Sequence, residues 1–210
     1  SLALSKVNIT LPLGISFYTF QTMSYSIDVY KGRIKPEINI INFATFVTLF
    51  PQLIAGPIVK YTDIQNEIKA RNIEKDKVQE GIEKFILGLG RKVLIANNIG
   101  MLWSEVENTG FNNISTPFAY VGILAFSLQI YFDFSGYSLM ARGLGQILGF
   151  NFPRNFNYPY ASRSISEFWR RWHITLGSWF KEYVYIPLGG NRNGKFRTII
   201  NLFVVWALTG

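Results

Sequence analysis

Two stretches without a single charged residue, 7–27 and 38–59, constrain this chain more than any other feature. Each is roughly 20 residues long, about what a helix needs to cross ~30 Å of hydrocarbon. Both are expected to span a membrane. Residues 117–141 carry one charge, Asp133, and form a third span if that acid is accommodated. The apolar run 198–210 would need about seven more residues to cross. Because the chain opens on Ser1 and this run stops at Gly210, it is expected to be a piece of a longer protein, incomplete at both ends. The first run is not a secretory signal: it lacks a small-residue cleavage pattern, and its basic flank is only Lys6.

Composition supports the same class. Charged residues make up 16% of the chain, against about a quarter in a soluble domain, while 49% are hydrophobic. There is no cysteine, which excludes disulfides, thiol nucleophiles and Cys-ligated zinc. There is one histidine, His173, so any nucleophile–histidine pair must use it, and no metal is expected. The polar stretch 60–92 is nearly charge-balanced. Within it Val78, Ile82, Phe85, Ile86 and Leu89 recur at helical spacing, so this part is expected to lie along or enter the membrane. The stretch 142–197 holds most of the unbalanced positive charge and is expected to face the cytoplasm. A net charge of +8 raises nucleic acid as a partner, but lipid headgroups account for it better.

Ser164-Ile165-Ser166-Glu167 fits a capping box and predicts a helix from Ile165. From there Ile165, Phe168, Trp169, Trp172, Leu176, Trp179, Phe180 and Tyr183 fall on one stripe, predicting a single amphipathic interfacial helix near 165–185. His173 falls at the edge of that stripe, where it is either a general base or orienting residue, or a structural histidine bonded to backbone. Arg170 and Arg171 either anchor headgroups or hold a phosphate-bearing acyl donor. Asp133 either lines a pathway or, ~24 Å along a helix begun at Pro117, sits near the far interface where its cost is small. The run 189–195, rich in Gly and Asn, lacks the spacing of a phosphate loop and reads as a connecting turn.

An ordered set of motifs covers nearly the whole chain. It runs through Leu11-Pro-Leu-Gly-Ile-Ser-Phe-Tyr-Thr-Phe-Gln21, Ser24-Tyr-Ser-Ile-Asp-Val-Tyr-Lys-Gly32 and Leu49-Phe-Pro-Gln-Leu-Ile-Ala-Gly-Pro-Ile58. It continues through Tyr131-Phe-Asp-Phe-Ser-Gly-Tyr-Ser138, Leu148-Gly-Phe-Asn-Phe-Pro-Arg-Asn-Phe-Asn-Tyr-Pro-Tyr160, Phe168-Trp-Arg-Arg-Trp-His-Ile-Thr-Leu176 and Tyr185-Ile-Pro-Leu-Gly-Gly-Asn-Arg192. Together they resemble the membrane-bound O-acyltransferase family, most closely the membrane subunits of alginate-type polysaccharide O-acetyltransferases. The resemblance implies an all-α, polytopic membrane bundle, with residues 1–210 forming one domain of that type. It also implies a multi-pass enzyme of the cell membrane that passes an acyl group from a cytoplasmic thioester, such as acetyl-CoA, towards hydroxyls of a cell-surface polysaccharide. The polysaccharide would be met directly or through a partner subunit.

By the same resemblance His173 matches one of two family histidines. The other, the principal catalytic residue, belongs to a Leu-Trp-His-Gly motif expected directly after Gly210, so this segment alone is expected to be inactive. Trp169, Trp172 and Asp133 would line the acyl path, and Arg170 and Arg171 would lie on the donor side. Many members have an acid after the Tyr-Ser pair, where this chain has Leu139. D-alanyl transfer to teichoic acid is the alternative within the family. A membrane transporter or channel is the alternative outside it.

Overall fold

The computed structural model describes residues 14–53 and 56–209. The expected start of the first span and the head of the first motif therefore lie outside the described residues. So do Ile54, Ala55 and Gly210. The described residues are helical, without strands: α1 (Ile15–Tyr30), α2 (Ile40–Thr48), α3 (Tyr61–Lys69), α4 (Lys75–Gly90), α5 (Asn97–Thr109), α6 (Thr116–Ile147), α7 (Ile165–Arg171), α8 (Ile174–Phe180) and α9 (Gly194–Thr209). A π-helical turn, Arg91–Ala96, joins α4 to α5, and a second, Lys181–Tyr185, follows α8.

The membrane-facing unit is a hairpin of two long helices. Lys75–Thr109 runs 35 residues and Thr116–Ile147 runs 32, both apolar enough to cross, and only 17% of the most apolar window of each is buried. A soluble core helix would bury that surface. Here Ile86, Leu87, Leu94, Ile123 and Leu124 point outward, as side chains facing lipid do. Glycines set the seam between α4 and α6. A Cβ on Gly88 would lie 2.5 Å from the Gly136 carbonyl oxygen, and one on Gly136 would lie 2.7 Å from that of Gly88. Gly81 and Gly143 repeat the arrangement one heptad away, at 2.8 and 2.5 Å. Such reciprocal approach of backbones is how helices gain dispersion contacts when lipid removes the hydrophobic drive between them.

The apolar run 38–59 does not form one spanning helix, contrary to its composition. It breaks after Thr48, where Leu49 is extended, and Pro51 opens a short 3₁₀ turn. Proline has no N–H to donate back along the helix, and its ring clashes with the preceding turn. The result is a core element: Phe46, Val59, Tyr61 and Ile64 pack with Phe150 and Phe152. A second core joins Ile58, Trp179, Phe180 and Tyr183 to Phe17, Phe20 and Ile27 of α1. Polar ties cross that junction: Tyr183 donates to buried Asp28 at 2.6 Å, and Arg33 bridges Asp28 at 2.9 Å and Glu182 at 2.7 Å. The connecting turn expected over 189–195 is found over 189–193, in a series of turns that begins at 186, while Gly194 and Lys195 open α9; the buried Asn201 amide closes it by donating to the Gly190 carbonyl at 3.0 Å.

Candidate functional site

The amphipathic stripe over 165–185 predicts one helix, and the structure has two. The start is as expected: Ser164 accepts from the Glu167 amide at 3.1 Å, although the Glu167 carboxylate reaches back to the Arg163 amide at 2.9 Å, one residue beyond the cap. The helix then stops at Arg171, and His173 takes a left-handed conformation, φ 42° and ψ 54°. The cause lies elsewhere in the chain. The segment 155–157 inserts into the break and satisfies its backbone groups: Ile174 donates to the Asn155 carbonyl at 2.9 Å, and Asn157 donates to the Arg171 carbonyl at 2.9 Å. Periodicity sees neither contact. His173 is one of two described non-glycine residues with positive φ, and such backbone costs of order 1 kcal/mol, held only where surroundings over-determine it.

Asn155 also dictates the chemistry of the imidazole. Its buried Oδ1 accepts from the Thr175 amide at 3.2 Å and the Thr175 hydroxyl at 2.9 Å, and it lies 3.0 Å from His173 Nδ1. Because a backbone N–H can only donate, the atom facing it is the amide oxygen, so His173 Nδ1 carries the proton. Nε2 is left with its lone pair. The ring is clamped edge-on by Phe134, with centroids 4.8 Å apart, and lies parallel to Phe156 at 6.5 Å. Thr175 in turn accepts from the Ile58 amide at 2.9 Å, fixing the histidine loop to the Gly56-Pro57-Ile58 segment.

Burial pushes the His173 imidazole down to about 4. Its folded pKa is thus below the unfolded value of ~6.5, so the folded state binds fewer protons between those pH values. Stability from the neutral ring is complete above about pH 6.5 and declines as pH falls towards 4, by at most about 1.4 kcal/mol per unit. Nitrogen-15 histidine spectra at pH 6 are expected to show a neutral ring protonated on Nδ1. A ring that charges near pH 6.5, or one protonated on Nε2, would contradict this geometry.

His173 lies between two adjoining cavities. One, about 580 Å³, is lined by Trp169, Trp172, Leu176, Trp206 and His173 itself; the other, about 530 Å³, adds Phe17, Phe20 and Ile58 from the opposite side. Both are predominantly apolar. The structure thus brings together His173, Trp169 and Trp172, as the sequence predicts. It does not bring Asp133 to them. Asp133 pairs with Lys92 across the hairpin, while its neighbour Phe134 meets the imidazole. Arg171 is held by Glu167 at 2.6 Å, and Arg170 is exposed on α7. Sequence reasoning assigned no role to Asn155, Thr175 or Phe134. Asn155 stands inside a quoted motif, but nothing in its spacing ties it to His173.

A lipid-facing helical hairpin packed beside a half-buried, neutral histidine that adjoins two apolar cavities defines an integral membrane protein. The profile of the membrane-bound O-acyltransferase family matches residues 33–209, and the chain belongs to that family. It is 49% identical to the probable alginate O-acetylase of Pseudomonas aeruginosa over 97% of this chain and 39% of that protein. It is 37% identical to the peptidoglycan O-acetyltransferase of Helicobacter pylori over 97% of this chain and 44% of that one. To the teichoic acid D-alanyltransferase of Bacillus subtilis it is 32% identical over 83% of this chain and 45% of that one. The chain thus spans about two-fifths of the length of the curated relatives it matches.

Proposed function

We propose that the chain is the histidine-bearing portion of a membrane O-acyltransferase that moves an acyl group, most simply acetyl, from a cytoplasmic thioester such as acetyl-CoA towards hydroxyls of a cell-surface polysaccharide. The observation that carries this reading is the half-buried, Nδ1-protonated His173 set between two apolar cavities. In it, Nε2 accepts a hydrogen bond from a hydroxyl or thiol at the reacting end, and the surrounding aromatic walls exclude water from the thioester. Trp169 and Trp172 shape the passage. The similarity to an alginate O-acetylase and a peptidoglycan O-acetyltransferase supports acetyl as the group and a polysaccharide as the acceptor.

The test is direct. The intact protein, purified with any partner subunit and supplied with labelled acetyl-CoA and an alginate or peptidoglycan acceptor, is expected to place label on acceptor hydroxyls. Absence of transfer together with solute flux through proteoliposomes would assign it to the transporters.

Orientation follows from charge. The excess of Arg and Lys over 142–197 places this face towards the cytoplasm in the proposal. Asn193 is exposed in the turn before α9, so Asn193→Cys in the intact protein is expected to resist an impermeant thiol reagent in whole cells and to label after lysis. Labelling of intact cells would reverse the orientation.

A further inference from the structure

A third cavity, about 320 Å³, lies between α4, α6 and the segment 154–156, on the other side of Asn155 from the histidine. Its wall is cationic: Lys84, Arg91, Arg142 and Arg154 line it against one carboxylate, Glu80. That carboxylate is already engaged, accepting from Lys84 at 2.7 Å and from the Gln146 amide at 2.6 Å. Arg142 and Arg154 each spend their Nε on a backbone carbonyl, of Phe152 at 3.2 Å and of Phe156 at 2.5 Å. This orients both guanidiniums while leaving their terminal nitrogens, which make no ion pair among the described residues.

Three residues that line the same cavity carry further, buried donors. Ser135 Oγ, Ser138 Oγ and Asn155 Nδ2 belong to residues no more than 3% exposed, and none has a hydrogen-bond partner among the described residues. Buried polar atoms are rarely left this way, because each forfeits its hydration. Several fixed donors and a surplus of guanidinium charge are matched by a multi-oxygen anion that can accept from all of them.

We propose that this cavity binds a phosphate group, held by Arg142 and Arg154 and capped by Ser135, Ser138 and the Asn155 amide. Asn155 makes the site more than a surface anchor. Asn155 lines the cavity while its Oδ1 holds His173, so in this proposal an anion bound there stiffens the amide that sets the imidazole tautomer. The phosphate belongs either to a lipid headgroup at the membrane surface or to a soluble phosphorylated molecule. The site itself does not depend on the acyl-transfer reading, because its test is binding.

The test uses the intact protein in detergent, with inorganic pyrophosphate and coenzyme A as soluble probes in calorimetric titrations. Phosphatidylglycerol retention, scored by native mass spectrometry against phosphatidylcholine, is the lipid arm. Arg142→Gln and Arg154→Gln are expected to weaken binding at least ten-fold. Lys77→Gln, an exposed charge control paired with Glu74, is expected to leave it unchanged. Since Arg142 also supports the backbone at Phe152, Ser138→Ala serves as the variant that keeps that support, with a loss of three-fold or more expected. Saturable binding of the soluble probes that falls in the variants supports a phosphorylated solute. Selective phosphatidylglycerol retention that falls in the variants supports a headgroup. Equal binding of every probe by parent, Ser138→Ala and both arginine variants overturns the site.

Discussion

If the intact protein transfers acyl groups as proposed, His173→Ala is expected to lower that transfer per folded molecule by ~10²-fold or more, the range lost when one fixed group stops assisting the reacting atoms. The imidazole is neutral at physiological pH and its Nδ1 is committed to Asn155, so Nε2 acts as a hydrogen-bond acceptor. Held near 4 by burial, it is a weak base, so the role proposed for it is positional. His173→Gln, which retains a hydrogen-bonding group, is therefore expected to recover transfer to within about ten-fold of the parent. Alanine also carries the left-handed backbone penalty at this position, so activity is normalised to monodisperse protein. Near-parental specific activity in both variants would leave His173 a structural residue. Equal, deep loss in both would make it a proton carrier after all.

Gly88→Leu is expected to remove folded protein from the membrane almost completely. Even its first carbon would sit 2.5 Å from the Gly136 carbonyl oxygen and 2.8 Å from the backbone nitrogen of Met140. Backbone cannot yield as a flexible side chain can, so the two long helices must part along the seam. The cost is about 3 kcal/mol or more, enough to unfold a protein of ordinary marginal stability. Gly90 lies on the same helix, where an added Cβ meets nothing closer than Leu94 at 4.0 Å. Gly90→Ala is accordingly expected to fold, gaining roughly 0.5–1 kcal/mol of helix propensity. Detergent-extracted yield and monodispersity by size exclusion compare the pair. A monodisperse Gly88→Leu at parental yield would mean the α4–α6 seam is wrong.

The same two regions mark where sequence reasoning succeeds and where it stops. The start of α7 was legible because the cap that opens it, Ser164 accepting from the Glu167 amide, lies within four residues. Its end was not, because the groups that close it come from Asn155 and Asn157. An amphipathic stripe records which residues are apolar, and Trp179, Phe180 and Tyr183 are indeed buried while Ile165 and Trp169 stay exposed. The stripe is blind to a left-handed residue in its middle. Asp133 shows a related limit. As a lone acid in an apolar run it drew attention as a site residue, but its partner is Lys92, brought alongside by the hairpin.

Sequence by itself determined that this chain partitions into a membrane, that it is helical, and to which family it belongs. Hydrophobicity, local capping and ordered motifs are properties of short windows, and each acts before the chain has met itself. Tertiary structure alone decided that Phe46, Ile58 and Val59 of the apolar run end as core packing, that the helix breaks at His173, and which imidazole nitrogen carries the proton. Those outcomes turn on single contacts between residues far apart in the chain. A hydrogen bond from Thr175 fixes the orientation of one amide, and that amide fixes the proton on His173.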